Sequence, residues 1–167
     1  MGAAAAKTVV LGLGNILHGD DGAGAQAISR LRSDPRVPAY VSLVEGGTLG
    51  LELLPHVWDC TRLIVIDAVD VGEPPGTLVR MSGEQLNSLP GNSSVHQLGV
   101  SDLLVALRML ADRQPEVVLL GVQPGSTDWS CELSPPVAAA LDYLVEASIR
   151  ELQAQAEPGT VPTSTVK

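Results

Sequence analysis

Short apolar runs alternate with longer stretches of helical periodicity along most of this chain. Residues 8–13, Thr-Val-Val-Leu-Gly-Leu, are a continuous β-branched and aliphatic run, the pattern of a strand buried on both faces. Asp20 and Asp21 then occupy an N-cap position, and Ala23, Ala27, Ile28 and Leu31 follow at helical spacing until Asp34-Pro35 closes the element. Residues 40–44 predict a second strand, ending at the turn Gly46-Gly47-Thr48. Residues 49–54 suggest a short helix stopped before Pro55, and 62–68, Arg-Leu-Ile-Val-Ile-Asp-Ala, are the clearest strand of all. After the turn Gly72-Glu-Pro-Pro-Gly76, residues 77–81 read as an edge strand. Ser94 with Gln97 forms a capping box opening a helix that carries Leu103, Leu104, Leu107 and Leu110. Residues 116–122 are another buried-type strand. Ser134-Pro135 then places an N-cap before a first-turn proline. Val137, Leu141, Leu144, Val145 and Leu152 form the stripe of that last helix, with Ser148 its one polar member.

Strand–helix alternation of this kind predicts a single-domain α/β fold. The expected form is a three-layer α/β/α sandwich around a mostly parallel twisted sheet of about five strands. Residues 8–153 carry it, with 1–7 as an N-terminal extension. Residues 154–167 lose periodicity and contain Pro158, Gly159 and Pro162, so a disordered tail is expected there. In such a sheet the functional crevice lies beyond the carboxyl ends of the strands.

Composition sharpens this picture. The chain has 167 residues, 45% of them apolar but only 2% aromatic, with no Phe, so Ala, Val, Leu and Ile must fill the core. At this length roughly 70% of the unfolded chain's surface is buried on folding, without need of a metal or disulfide. Ten Lys and Arg against nineteen Asp and Glu give a net charge of −9. A nucleic-acid backbone or an anionic membrane surface would repel it, which leaves a protein or small-molecule partner. No secretory signal, myristoylation pattern or membrane-length apolar run is present, and Cys60 and Cys131 match no disulfide or CxxC pattern. Both cysteines are expected in or near the core, in a protein of the reducing cytoplasm.

The loop from Gly12 to Gly24 is the most informative segment for chemistry. Gly12 and Gly14 fit the start of a dinucleotide fingerprint, but Leu17 replaces the third glycine. Asp20 and Asp21 would repel a pyrophosphate, although Glu45 sits where a ribose-binding acid would. The phosphate loop, His-Glu-x-x-His and Gly-x-Ser-x-Gly are absent. Three candidates remain: Asp21 after the first strand, Asp67 at the end of the 62–68 strand, and His96 at a helix start. A parallel sheet brings the first two to one edge, within reach of the third. Two carboxylates and an imidazole suit a first-row transition metal with coordination positions left open. The helix start near His96 favours neutral imidazole, the metal-binding form.

Each has a plainer reading. Asp20 or Asp21 caps the helix, Asp67 makes a structural pair, and His96, like His18 and His56, is an ordinary surface or capping histidine. Thr48 and Thr77 serve turn geometry. Asp20, read as the cap, is expected to tolerate substitution better than Asp21.

Taken together, these segments resemble a known family. Gly12-x-Gly-Asn-Ile-Leu-x-x-Asp-Asp-Gly-x-Gly24 is similar to the opening motif of the hydrogenase maturation endopeptidases, which process the large subunit of nickel–iron hydrogenases. Glu45-Gly-Gly-Thr48, Ile66-Asp-Ala68, Pro75-Gly-Thr77, His96-Gln-Leu-Gly99, Gly121-Val-Gln-Pro124 and Leu133-Ser-Pro135 also look like that family, in its order. The similarity covers positions 8 to 150. It implies that Asp21, Asp67 and His96 contact the metal and form the catalytic site of an aspartyl-type endopeptidase. Glu45 stands where the family commonly has Asp, which leaves its role open.

The resemblance implies an enzyme that recognises nickel already inserted into an immature large subunit. It would remove a C-terminal extension by one cleavage. The nickel is supplied by the substrate, no organic cofactor is implied, and the protein is expected to be a monomer. Whether a carboxylate activates water or the metal polarises the carbonyl stays open. Two other classes are weighed: a non-catalytic nickel-binding or metal-delivery module, and a nucleotide-binding α/β domain. The scarcity of His and Cys counts against the first, and the missing glycine and paired aspartates against the second.

Overall fold

The computed structural model describes residues 7–88 and 95–154 and opens with strand β1 (Thr8–Leu13), buried at every residue. A 3-10 turn, Gly19–Gly22, leads into helix α1 (Ala23–Arg32) and then β2 (Val41–Gly47). The turn Gly50–Leu53 runs into the short α2 (Leu54–Val57), followed by β3 (Arg62–Ala68) and β4 (Leu78–Ser82). After the 3-10 segment Gly83–Ser88 come α3 (Val95–Leu110), β5 (Glu116–Val122) and α4 (Pro135–Ala154). Residues 1–6 and 155–167, most of the expected extension and tail, lie outside the described residues, as does Ser94 of the expected capping box.

Three local expectations change. β2 continues to Gly47 because Glu45 and Gly47 still pair with Gly12 and Leu13, across a register shift. Pro55 opens α2 instead of stopping a helix, since a first-turn proline lacks only an N–H that would go unbonded. Asp20 and Asp21 form the 3-10 turn, and α1 starts behind Gly22 with no side-chain cap.

The five strands form one sheet in the order β2-β1-β3-β5-β4. All neighbours are parallel except β4, the edge strand, which runs antiparallel to β5. Alternate residues feed two cores. Val10, Ile64, Ile66, Val118 and Leu120 pack against Ala27, Ile28 and Leu31 of α1 and Leu141, Leu144 and Ile149 of α4. Val9, Leu11, Leu63, Val65 and Leu119 pack against Leu53, Val57, Leu103 and Leu107 on the other face. This is the three-layer α/β/α arrangement, and each fully buried Leu or Ile contributes about 1.5–3 kcal/mol. The α4 stripe is buried as its periodicity predicts. Ser148 sits within it and donates its hydroxyl to the Leu144 carbonyl at 2.9 Å.

From β1 the chain passes through α1 to β2 on one side, while β3 lies on the other. The carboxyl ends of β1 and β3 therefore flank the switch point of the sheet, where open α/β folds form their crevice. Two glycines let α1 come down onto this edge. A Cβ on Gly12 would lie 2.4 Å from the Gly24 carbonyl oxygen, and one on Gly24 would lie 2.3 Å from that of Leu13.

Candidate active site

Asp67 is the penultimate residue of β3 and is 1% exposed. It continues the alternation of Leu63 and Val65, so it belongs to the sheet face covered by α3. Its Oδ1 accepts the Ala68 N–H at 2.8 Å. Asp21 is 5% exposed and lies in the Gly19–Gly22 turn, which packs against β3. Its Oδ2 accepts the Asn15 N–H at 2.7 Å. Gly14 makes that contact possible. At its φ of +105°, a side chain's Cβ would fall 1.7 Å from the Asp21 carbonyl oxygen. One buried carboxylate thus lies in the turn that follows β1 and the other at the end of its neighbour β3, both at the switch-point edge. Burying such charge is costly unless something compensates it.

His96 is the second residue of α3. The early α3 residues Val100 and Leu103 pack beside Leu13, Gly47 and Thr48, which puts the start of this helix at the same edge. The His96 side chain lies outside the described residues. Among the described residues, no group of three His, Cys, Asp or Glu forms a metal site. Glu45 is set apart from the buried acids: it is half-exposed and accepts from Arg32 at 3.3 Å.

Asp20 does something the sequence reading missed. It is fully buried and caps nothing in its own helix. Its carboxylate accepts the Gly125 N–H (2.7 Å), the Ser126 N–H (2.9 Å), the Ser134 N–H (2.6 Å) and the Ser134 hydroxyl (2.7 Å). The first loop is thereby tied to the segment after β5 and to the start of α4. Burial works to raise the Asp20 pKa, but the donors from Ser126, Ser134 and Gly125 outweigh it and hold the carboxyl below its usual range. The reading of Asp20 as the cap of its own helix is therefore corrected, and its substitution is expected to leave these donors unsatisfied inside the protein. The only sequence signal was a second Asp beside the first.

Gln123, in the Gly-Val-Gln-Pro segment, is another organiser. Its Oε1 accepts the Val71 (2.8 Å) and Glu73 (3.2 Å) N–H groups, and its Nε2 donates to Asp70 at 3.0 Å. This fixes the loop leaving β3 just beyond Asp67. The Gln123 amide, with the Gly72 N–H, holds the Asp70 carboxyl below its usual range. Cys60 is buried as expected and burial pushes its thiol up to about 11. Cys131 is exposed, because it lies in the surface segment between β5 and α4 and not in an element facing the core.

The first loop also answers the nucleotide reading. A phosphate needs free backbone N–H groups. Here those of Gly14, Leu17, His18, Gly19, Asp20 and Asp21 donate to Gly47, Asn15 Oδ1, Asn15 O, Ser130, Ser126 and His18, and that of Asn15 donates to Asp21. The cradle is closed from within.

Fold and edge define the class: a doubly covered α/β sheet with buried acids at its switch point. The family model of HycI, hydrogenase maturation protease, matches residues 25–151. The hydrogenase expression/formation protein HupD of Rhodobacter capsulatus is 37% identical over 151 residues, 89% of this chain and 72% of that protein. The hydrogenase 2 maturation protease of Escherichia coli (strain K12) is 36% identical over 157 residues, 91% of this chain and 96% of that protein. The solved hydrogenase maturating endopeptidase HybD from E. coli superposes with a TM-score of 0.83 at 34% identity, covering 89% of this chain and 93% of that one. HybD from Thermococcus kodakarensis gives 0.74 at 30% identity, covering 87% and 99%. The chain belongs to the hydrogenase maturation protease family and is a peptidase.

Proposed function

We propose that this peptidase removes the C-terminal extension of an immature nickel–iron hydrogenase large subunit, and that Asp21, Asp67 and His96 receive the nickel which that subunit already carries. The observation that carries the reading is the burial of two carboxylates at the β1/β3 switch-point edge, with the start of α3 at the same edge. Carboxylate and imidazole donors suit a first-row divalent metal, and so small a donor set leaves positions for ligands brought by the substrate. The nickel is thus part of the substrate.

The reading extends to chemistry of the aspartyl type. A buried carboxylate would take a proton from the water that attacks the scissile carbonyl. Nickel bound to that carbonyl would draw electron density from it and ease the same attack. The acids serve either route, as base or as ligands. We further take the protein to act as a monomer in the cytoplasm. The free thiols of Cys60 and Cys131 support a reducing compartment. Among the described residues no helix is long and apolar enough to cross a membrane.

The test is intact mass spectrometry of a nickel-loaded large-subunit precursor with and without this protein. A nickel-free precursor and the Asp67→Asn protein run alongside. Loss of a C-terminal segment only with nickel and only with intact Asp67 is expected. Cleavage of the nickel-free precursor at the same rate would overturn the metal gate. Cleavage by Asp67→Asn at the wild-type rate would overturn the site.

A further inference from the structure

Three large apolar side chains stand in solvent beside the acids: Ile16 (51% exposed), Leu17 (45%) and Trp129 (78%). They lie on two segments that the fold joins. Gly19 donates to the Ser130 carbonyl at 2.7 Å, Ser130 donates to that of Leu17 at 3.0 Å, and Asp20 donates to that of Ser126 at 2.9 Å. The His18 ring lies against the Trp129 indole with centroids 4.4 Å apart, and its Nδ1 is 3.2 Å from the Thr127 carbonyl oxygen. Beneath this bridge the Asp20 carboxylate clamps Gly125, Ser126 and Ser134. An exposed tryptophan on a loop held this firmly is an anchor more than a loose end, since ordered aromatic side chains dominate protein recognition.

We propose that Ile16, Leu17 and Trp129 form the docking platform for the large-subunit precursor and grip an apolar segment of it next to the scissile bond. The proposal rests on the reading of Asp21 and Asp67 given above. Ile16 follows Asn15, whose N–H holds the Asp21 carboxylate, so a chain delivered to that acid passes over this loop. The exposed Asp128 and Glu132 flank Trp129 in sequence. A cationic residue beside the apolar segment is therefore the complement. The platform contributes to binding and leaves the chemical step to the acids.

Steady-state cleavage of nickel-loaded precursor separates these contributions. Trp129→Ala is expected to raise KM about tenfold with kcat held within about twofold, the signature of lost uniform binding. Ile16→Ser with Leu17→Ser should shift KM in the same direction. Met109→Ser, which changes a side chain 78% exposed at the opposite end of α3, should leave both parameters unchanged. An unchanged KM in Trp129→Ala, or a fall in kcat alone, would overturn the platform. Thermal midpoints of all variants are measured, and a rise in KM counts only where the midpoint is preserved. Activity retained by Asp67→Asn would remove the acids from the mechanism, while the Trp129 result would still decide the platform.

Discussion

The two edges of the sheet bury charge in opposite ways. At the amino edge, Arg62 at the start of β3 is 5% exposed and meets Glu151 near the end of α4, donating Nη2 to Oε2 at 2.7 Å and Nη1 to the Glu151 carbonyl. Arg80 reaches the same carboxylate, so one acid is held by two guanidinium groups. At the carboxyl edge, the Asp20 carboxylate is held by backbone amides and the Ser134 hydroxyl, and the contacts of Asp21 and Asp67 include the amides of Asn15 and Ala68. Amide donors orient a carboxylate without cancelling its charge; a guanidinium does both. At the amino edge a cavity of about 440 Å³ is lined by Leu86, Leu104, Leu107, Arg108 and Gln114. A cavity marks that end, whereas a group of buried acids marks the other.

The comparison breaks most visibly if the acids at the carboxyl edge prove dispensable. Asp67→Asn or Asp21→Asn should reduce precursor cleavage by about a thousandfold or more while the protein stays folded, and His96→Gln should do the same. Single-turnover cleavage followed by mass spectrometry measures it. Next in size is the structural effect of Asp20→Ala. Leaving its donors unsatisfied should cost about 3 kcal/mol, read from urea unfolding. At the amino edge, Arg62→Met should cost about 2 kcal/mol and leave kcat unchanged, which would separate the edge that stabilises from the edge that reacts.

Acid titration sharpens the contrast further. The Asp20 carboxyl is depressed in the folded protein, with burial opposing and the donors from Ser126, Ser134 and Gly125 prevailing. Its contribution to stability should be complete above its unfolded pKa of about 3.9 and be lost as pH falls through the lower folded value. Unfolding free energies of wild type and Asp20→Asn should therefore converge toward the acid end. The smallest effect concerns the thiols. Burial pushes Cys60 up to about 11, so at neutral pH a disulfide reagent should titrate exposed Cys131 alone in the native protein.

Much of the architecture was legible because it follows from local pattern. β1, β3 and β5 are apolar runs that parallel strands covered on both faces require, and α4 announces itself by its stripe and Ser134-Pro135. The placement of Asp21 and Asp67 at one edge followed from their positions, one in the loop after β1 and the other at the end of β3. The division of labour between Asp20 and Asp21 was not legible. The residues are chemically identical neighbours, and what separates them is Ser134, 114 positions away. Cys131 was misjudged for a related reason: apolar character suggests burial only inside an element, and that segment belongs to none. Glycines at 12 and 14 looked like the start of a dinucleotide fingerprint, yet one admits α1 to the sheet and the other lets the chain turn onto Asp21.

The saturated first loop has a kinetic consequence. Its amides from Gly14 to Asp21, that of Ile16 aside, already have acceptors within the protein, so nothing in it waits to be ordered by an arriving chain. Little conformational entropy is then lost at this surface on encounter, and capture should be rapid. A surface so rigid has little means of induced fit and makes the same encounter with ripe and unripe precursors. On the proposed reading, the choice between them is made by dwell time, with only the metal-bearing visitor staying long enough to be cut.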